Sequence, residues 1–481
     1  MSDTPPPKLN GPPHLAEARL ALLKDWRGKR VTVMGLGWHG GQIAAIKYLA
    51  RRGARLTVTD LLDESELADS LAALDGYRID KFVLGRHDED DFRTAEAVVV
   101  APAVKPGNRF VRLAEEAGAL ITSEIELAIA ETPGPLIGIT GTVGKSTTAT
   151  MCRDMLRAGG KRVRLVGNIG ESLLDVVDDP ADQFSAEDVT VFELSSFQLV
   201  RLESAEFRPD VAVLTGVSPN HLAWHGKFAA YGQVKRSVFV HQSAGDHAVV
   251  WHDDGEYRLG NGVVCHLIYP NAGRTTARFV EVDRTRRLVN VGIDPTRQPA
   301  HHEDNAAFAA AAAHACGVAA ENIKEGYDRF RGLEYRFART EAGGLTFVND
   351  SKSTSDVAAA SAANAVWQKT PRDRSAVIID ARTPFKQHEK MFAPGILGRC
   401  FIRYLTPGSD HAATDWPRAD HLAPRGGLRE AFAAATESLR AGGELLFSPG
   451  HPSQPAYRDY KERGEHFRRL VEEYRRSVEG V

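Results

Sequence analysis

Leu136-Ile-Gly-Ile-Thr-Gly-Thr-Val-Gly-Lys-Ser-Thr-Thr148 is the stretch whose reading decides the fold. Residues 135–140 read as a strand, Gly141 to Gly144 as a glycine-bounded loop, and a helix opens at Ser146 and continues through Ala149, Met151 and Leu156. Such a loop aims successive backbone N–H groups into one concavity at a helix N-terminus, where the helix dipole favours phosphate. Lys145 can reach the outer phosphates of a nucleotide, and the Ser146 hydroxyl is placed to hold Mg²⁺. Gly141, Thr142, Gly144 and Thr147 complete the expected cradle. The strict pattern has glycine where Ile139 stands, so the loop is a short version of it.

The 481 residues exceed one ordinary core and imply two to four domains. A 43% apolar and 26% charged composition is that of a globular chain. The formal net charge of −3 gives no footing for nucleic acid or an anionic membrane. Cys152, Cys265, Cys316 and Cys400 are far apart and form no CxxC pair, which points to a reducing compartment and away from structural zinc. Residues 1–14 are proline-rich without an apolar core segment, so they read as a disordered tail and not a signal peptide. No apolar run approaches a membrane span. The expected compartment is the cytoplasm.

Upstream of the phosphate loop, Arg30 to Met34 is a strand, followed by Gly35-Leu-Gly37-Trp-His39-Gly40-Gly41, a helix to Arg52, and a second strand ending at Asp60. This is a nucleotide-binding βαβ arrangement, with the acid placed for a ribose hydroxyl. NAD is the default ligand of such a unit and a uridine nucleotide the less common one. Further strands fall at residues 81–84, 97–100 and 120–121; Glu124 and Glu126 then open a helix, where carboxylates suit the dipole. Pro133-Gly134-Pro135 marks a linker.

Downstream, residues 162–166 form a strand closing on Gly167-Asn168, and residues 190–192 a strand ending at Glu193, where a carboxylate can complete a Mg²⁺ site or simply cap a turn. Residues 211–215 lead as a strand to Asn220-His221-Leu222-Ala223-Trp224-His225. Lys235 follows on a helix over residues 229–240.

The order Gly-Thr-x-Gly-Lys-Ser-Thr, Glu193-Leu-Ser-Ser-Phe-Gln-Leu199, Asn220-His221-Leu222 and the Lys235 helix resembles the Mur ligases over nearly the whole chain. The resemblance implies an α/β protein of three domains: a Rossmann-like domain over 15–132, a central P-loop ATPase-like domain over 133–300 and a C-terminal Rossmann-like domain over 301–481. By it, the first domain holds the UDP of a sugar-peptide through Gly37, His39 and Asp60, displacing the NAD reading. Asn168, Ser195 and Gln198 would contact the muramoyl-alanine portion. Lys145 would contact ATP, Ser146 and Glu193 would hold one Mg²⁺, and His221 would help hold a second through a carbamylated Lys235. A carbamate replaces the ammonium by a negative group, so it ligates a cation instead of repelling it.

In the last third, His302-Glu-Asp-Asn305 resembles the family's asparagine segment toward ATP, with Asn305 as its second asparagine and His302 in place of the first. Arg336, within Gly332-Leu-Glu-Tyr-Arg-Phe337, matches the arginine that grips ATP phosphates. In Asn349-Asp-Ser-Lys-Ser-Thr354, Asp350 would bind the ATP ribose, while Lys352 and Thr354 would face the substrates. Ser453 and Tyr460 match positions holding the incoming amino acid. The family's Gly-Gly-x-x-Lys segment, whose lysine grips a glutamate side chain, has no counterpart after Ile379; Lys386 or Arg382 could supply that cation. Val143, Ala223 and His39 are further departures.

The implied reaction is ATP-dependent addition of D-glutamate to UDP-N-acetylmuramoyl-L-alanine through an acyl phosphate, by a monomer. A related ligase for another amino acid, a nicotinamide oxidoreductase and an inactive nucleotide-binding regulator are the competing readings.

Overall fold

The computed structural model describes residues 9–37, 40–179, 185–252, 259, 263–268, 278–282, 287–290, 293, 303–371, 374–380, 382, 401–404 and 426–480. The chain divides into two compact units, Met1–Pro295 with Asp304–Phe330, and Thr296–Glu303 with Arg331–Val481.

The first unit holds two sheets. β1 (Arg30–Met34), β2 (Arg55–Thr59), β3 (Lys81–Val83), β4 (Ala97–Val100) and β5 (Leu120–Thr122) pair in parallel in the order β3-β2-β1-β4-β5. The order reverses between β1 and β4, and ligands bind outside such a switch point. Gly35 follows β1 there with φ +89, and a Cβ on it would lie 2.8 Å from the Ala101 Cβ, so the two strand ends meet only because residue 35 has no side chain.

The second sheet comprises β6 (Leu136–Thr140), β7 (Val163–Gly167), β8 (Val189–Glu193), β9 (Val211–Leu214), β10 (His247–Trp251), β11 (Val264–Ile268), β12 (Arg278–Val282) and β13 (Arg287–Asn290), in the order β13-β12-β11-β10-β9-β6-β8-β7. It is parallel from β7 to β11, and β12 and β13 extend it antiparallel. β6, β8 and β9 are buried at every residue, the mark of strands covered on both faces. The helix Glu303–Ala315 belongs with this sheet; its residues 306–313, including seven alanines, are fully buried.

The second unit is built on β14 (Ala338–Ala342), β15 (Leu345–Asn349), β16 (Ser375–Asp380), β17 (Phe401–Tyr404) and β18 (Glu444–Phe447), in the order β14-β15-β18-β16-β17. β14 and β15 form an antiparallel hairpin, and the other pairings are parallel. The long helix Tyr460–Glu479 buries Phe467, Leu470 and Val471 in the core that contains Phe347 and Phe447.

The expectation of a tail through residue 14 is corrected for residues 9–14. Gly11 N donates to Asp210 Oδ1 at 2.5 Å, Asn10 Nδ2 to Asp246 Oδ1 at 2.8 Å, and His14 Nε2 lies 2.9 Å from the Gly134 carbonyl. Asp210 also accepts from Leu136 N at 2.8 Å, so one buried carboxylate ties the N-terminal segment to the strand that feeds the phosphate loop. Composition misled here because polar and proline residues lacking a core of their own are held by carboxylates that precede distant strands, Asp210 before β9 and Asp246 before β10. Further along, Arg19 pairs with the fully buried Glu126, whose other partner is the Thr122 hydroxyl. Replacing Asp210 by alanine strands two buried backbone N–H groups and is expected to cost about 3 kcal/mol, read as a lowered denaturant midpoint at unchanged slope.

Candidate active site

β6 ends between β8 and β9, with Ile139 in register with Glu193 and Thr140 with Leu214. The loop that follows is pinned from the β9 side. Thr142 N donates to Gly216 O at 2.9 Å, the Thr142 hydroxyl accepts from Ser218 N at 3.0 Å, and Thr215 Oγ1 donates to Val143 O at 2.6 Å. The helix opens at Lys145, one residue before the sequence places it, and runs to Ala158 with Gly144 as its N-cap. Gly144 has φ +87, and a Cβ on it would meet Asn305 Oδ1 at 2.2 Å. Asn305 thus stands over the loop on the alanine-rich helix, with its Oδ1 accepting from the Thr148 hydroxyl at 3.4 Å. Lys145 Nζ donates to the carbonyls of Gly141 and Thr142, both at 3.1 Å, and so lies folded over the loop. Ser146 and Thr147 are buried in the first helical turn.

Glu193 is 1% exposed. Its Oε1 accepts from Asn168 Nδ2 at 2.9 Å, and its buried Oε2 has no hydrogen-bond partner. A carboxylate oxygen left in that state costs free energy unless a cation or donor meets it. Among the described residues no three His, Cys, Asp or Glu side chains form a metal cage. The chemistry of the Glu193 carboxylate beside the Ser146 hydroxyl fits Mg²⁺, a hard cation that takes oxygen ligands and is usually bound by one or two carboxylates together with substrate phosphates.

Lys235 is 2% exposed, with Nζ 3.4 Å from the Thr140 hydroxyl and 5.0 Å from the centre of the Tyr231 ring. Burial, and then the nearby Lys145 ammonium, push its pKa well below the usual lysine range, against the pull of Glu193. Tyr231 lies one turn earlier on the same helix, Phe228–Arg236, and its hydroxyl is 3.1 Å from Thr142 Oγ1. The tyrosine was missed in the sequence, although its i, i+4 spacing from Lys235 was a usable signal.

His221 occupies the left-handed region at φ 52. Its ring is edge-on to Phe197, centroids 5.0 Å apart. Desolvation first, then the charges of Lys145, Lys235 and His225, hold the imidazole down to about 4. Trp224 Nε1 donates to Ala103 O at 3.1 Å and Lys105 Nζ to Ala223 O at 3.1 Å, joining this turn to the loop after β4. At Ala223 it is therefore the backbone that makes a contact.

Ser195 and Gln198 form a capping box: Ser195 Oγ accepts from Gln198 N at 3.2 Å, and Gln198 Oε1 accepts from Ser195 N at 2.9 Å. Asp60 Oδ2 accepts from Leu36 N at 2.7 Å and Gly37 N at 2.9 Å, so its carboxylate shapes the glycine turn from within. His39 lies outside the described residues, as do His302 and Lys386.

In the second unit, Arg336 sits between Tyr335 at φ 60 and Phe337 at φ 54, a strained pair of aromatic residues of the kind found at functional turns. The turn is tied to the next: Phe337 N donates to Asp350 Oδ1 at 3.2 Å, and Lys352 N to Tyr335 O at 2.9 Å. Asp350 also accepts from Ser448 Oγ at 2.8 Å, and burial pushes its carboxyl up to about 7. Lys352 Nζ stands 3.8 Å from the centre of the Tyr460 ring, a cation–π pair. Thr354 is exposed and Ser453 buried. Arg463, absent from the candidate site residues read in the sequence, is fully buried and donates to Ser351 O at 2.9 Å and His451 O at 2.8 Å, joining the Asn349–Thr354 turn to the loop after β18.

A phosphate loop at the switch of a parallel sheet, beside a buried carboxylate, defines an α/β nucleotide-dependent protein with a second mostly parallel α/β unit. Two family models match: "Mur ligase MurD-like, N-terminal domain" over residues 29–123 and "Mur ligase middle domain" over 139–275. Proteins named UDP-N-acetylmuramoylalanine–D-glutamate ligase are similar over nearly their full length: that of a Roseiflexus species is 34% identical, covering 93% of this chain and 99% of its own, and that of Trichlorobacter lovleyi is 33% identical, covering 92% and 98%. Among solved structures, a MurF ligase from Thermotoga maritima in complex with ADP has a TM-score of 0.52 at 17% identity, covering 94% of this chain and 97% of its own. The chain belongs to the Mur ligase family.

Two expectations follow. Gly144→Ala should weaken ATP binding at least tenfold, by strain of about 1–3 kcal/mol at positive φ and by displacing Asn305; titration with ATP checks it. The His221 imidazole should titrate near pH 4 by NMR and be neutral at pH 6 and above. Because folding depresses this pKa from 6.5, the protonated form is disfavoured in the native state. The stability linked to it should therefore be present above about pH 6.5 and be lost as the pH falls toward 4.

Proposed function

We propose that this chain ligates D-glutamate to UDP-N-acetylmuramoyl-L-alanine at the expense of ATP, supplying a peptidoglycan precursor. The observation that carries the reading is end-to-end similarity, at 33–34% identity, to ligases so named. The phosphate loop and its buried carboxylate support it. In the division of labour proposed, residues 15–132 hold the UDP portion, 133–300 the ATP, and 301–481 the amino acid together with part of the nucleotide. Among the described residues no helix is long and apolar enough to cross a membrane. A monomer acting in the cytoplasm is proposed.

The substrate carboxylate oxygen attacks the γ-phosphorus as the bond to the β-phosphate oxygen breaks, giving an acyl phosphate and ADP. The D-glutamate nitrogen then attacks the acyl carbon, phosphate departs, and the amine gives up a proton. Phosphoryl transfer needs charge neutralisation and alignment more than covalent help. Lys145 would swing from the Gly141 and Thr142 carbonyls to the phosphates. Ser146 and Glu193 would hold Mg²⁺, which supplies charge neutralisation at the phosphates. Arg336 would grip phosphate oxygens, and Asn305 and Asp350 would contact the nucleotide. Lys352, Thr354, Ser453 and Tyr460 would face the amino acid. Gly37, Asp60, Asn168, Ser195 and Gln198 would line the path of the UDP substrate.

A buried lysine with a depressed pKa offers a neutral amine, which adds CO₂ with loss of a proton to give a carbamate. At Lys235 that carbamate, with the neutral His221 imidazole, would hold a second Mg²⁺ and relieve the repulsion from Lys145. Phosphate release should require both UDP-N-acetylmuramoyl-L-alanine and D-glutamate; release with another amino acid instead would move the assignment within the family. Lys145→Ala should abolish turnover. Lys235→Ala should lose at least about 100-fold in kcat and recover in part with acetate, a small carboxylate standing in for the carbamate. Failure of every small carboxylate to restore it would remove the carbamate.

A further inference from the structure

Arg382 lies two residues beyond the end of β16, where the family's lysine segment has no counterpart. Its Nε and Nη2 donate to Asp380 Oδ1 at 3.0 Å and Oδ2 at 2.8 Å, and its backbone N adds a third bond to Oδ1 at 2.9 Å. The rest of the fork turns to the loop after β18. Nη1 donates to Gln454 O at 2.7 Å and Nη2 to Pro452 O at 3.1 Å. Those two carbonyls flank Ser453, itself 4% exposed. The Asp380 side chain is fully buried and that of Arg382 is 12% exposed, so the pair is little screened by solvent.

This geometry does two things. The bidentate pairing spends the guanidinium charge on Asp380, leaving it poorly suited as the counter-ion of a substrate carboxylate. The planar fork also fixes the residues on both sides of Ser453 relative to the end of β16, which an ammonium of one point charge cannot do. Backbone bonds from Ser448 N to Ile378 O at 3.1 Å and from Asp380 N to Pro449 O at 3.0 Å fasten the start of the same loop to the same strand. Arg382 carries that attachment on to residues 452–454.

We propose that Arg382 is a positioning residue for the incoming amino acid, acting through the Pro452 and Gln454 carbonyls to place Ser453, with Asp380 holding the clamp. The proposal rests on the ligase reading and on Ser453 facing the amino acid. The test is steady-state phosphate release by the full-length protein, with KM measured for ATP, UDP-N-acetylmuramoyl-L-alanine and D-glutamate in wild type, Arg382→Lys and Arg382→Ala. A misplacement on the ångström scale should raise the KM for D-glutamate roughly 10- to 100-fold in both variants and leave the other two KM values within about twofold. Near-wild-type kinetics in Arg382→Lys with a large defect in Arg382→Ala would mean that the charge itself meets the substrate, and would overturn the proposal. So would three KM values rising together, or none. Should Arg382→Ala not fold, Arg382→Lys alone decides, since the clamp requires it to be defective for D-glutamate only. Failure of the wild type to release phosphate with these substrates would instead refute the ligase reading.

Discussion

A buried lysine, a half-buried lysine and a buried carboxylate share the carboxyl end of β6 and its neighbours, and accommodating that charge set is the constraint on which the site depends. Unpaired charge inside a protein is strongly unfavourable, and here each member limits the others. Lys145 is turned back on the loop carbonyls, Lys235 is driven toward its neutral form, and Glu193 keeps one oxygen without a partner. In the proposed reaction, nucleotide phosphates would meet Lys145 and Mg²⁺ would meet the second oxygen of Glu193, while Lys235 would join only as its carbamate.

The surrounding contacts fasten that arrangement from several sides. Tyr231 and the residue 215–218 turn fasten Thr142, while Asn305 fills the space that Gly144 leaves open. Behind β6, Asp210 joins the strand to the N-terminal segment. Mechanical support for the loop thus comes from residues more than 150 positions apart in the chain, all within one compact unit.

The second unit relies on arginine instead. Arg382 lays a planar fork across two carbonyls of the loop after β18, Arg463 bridges one carbonyl of that loop to Ser351 O, and Asp350 and Asp380 are the buried carboxylates nearby. Lysine could supply the charge but not the several fixed donor directions that the two arginines use here.

What the sequence determined by itself was local: the strand–loop–helix of the phosphate loop, the βαβ unit with its glycine turn, and Glu193 at a strand end, because strand periodicity and glycine spacing are properties of a few adjacent residues. It also carried the order of motifs that marks the family. Only the tertiary structure decided that Asp60 braces its own turn, that residues 9–14 are held by Asp210 and Asp246, and that Arg382 is committed to Asp380. Each of these depends on which distant partner a charged group meets, and no spacing along the chain encodes that.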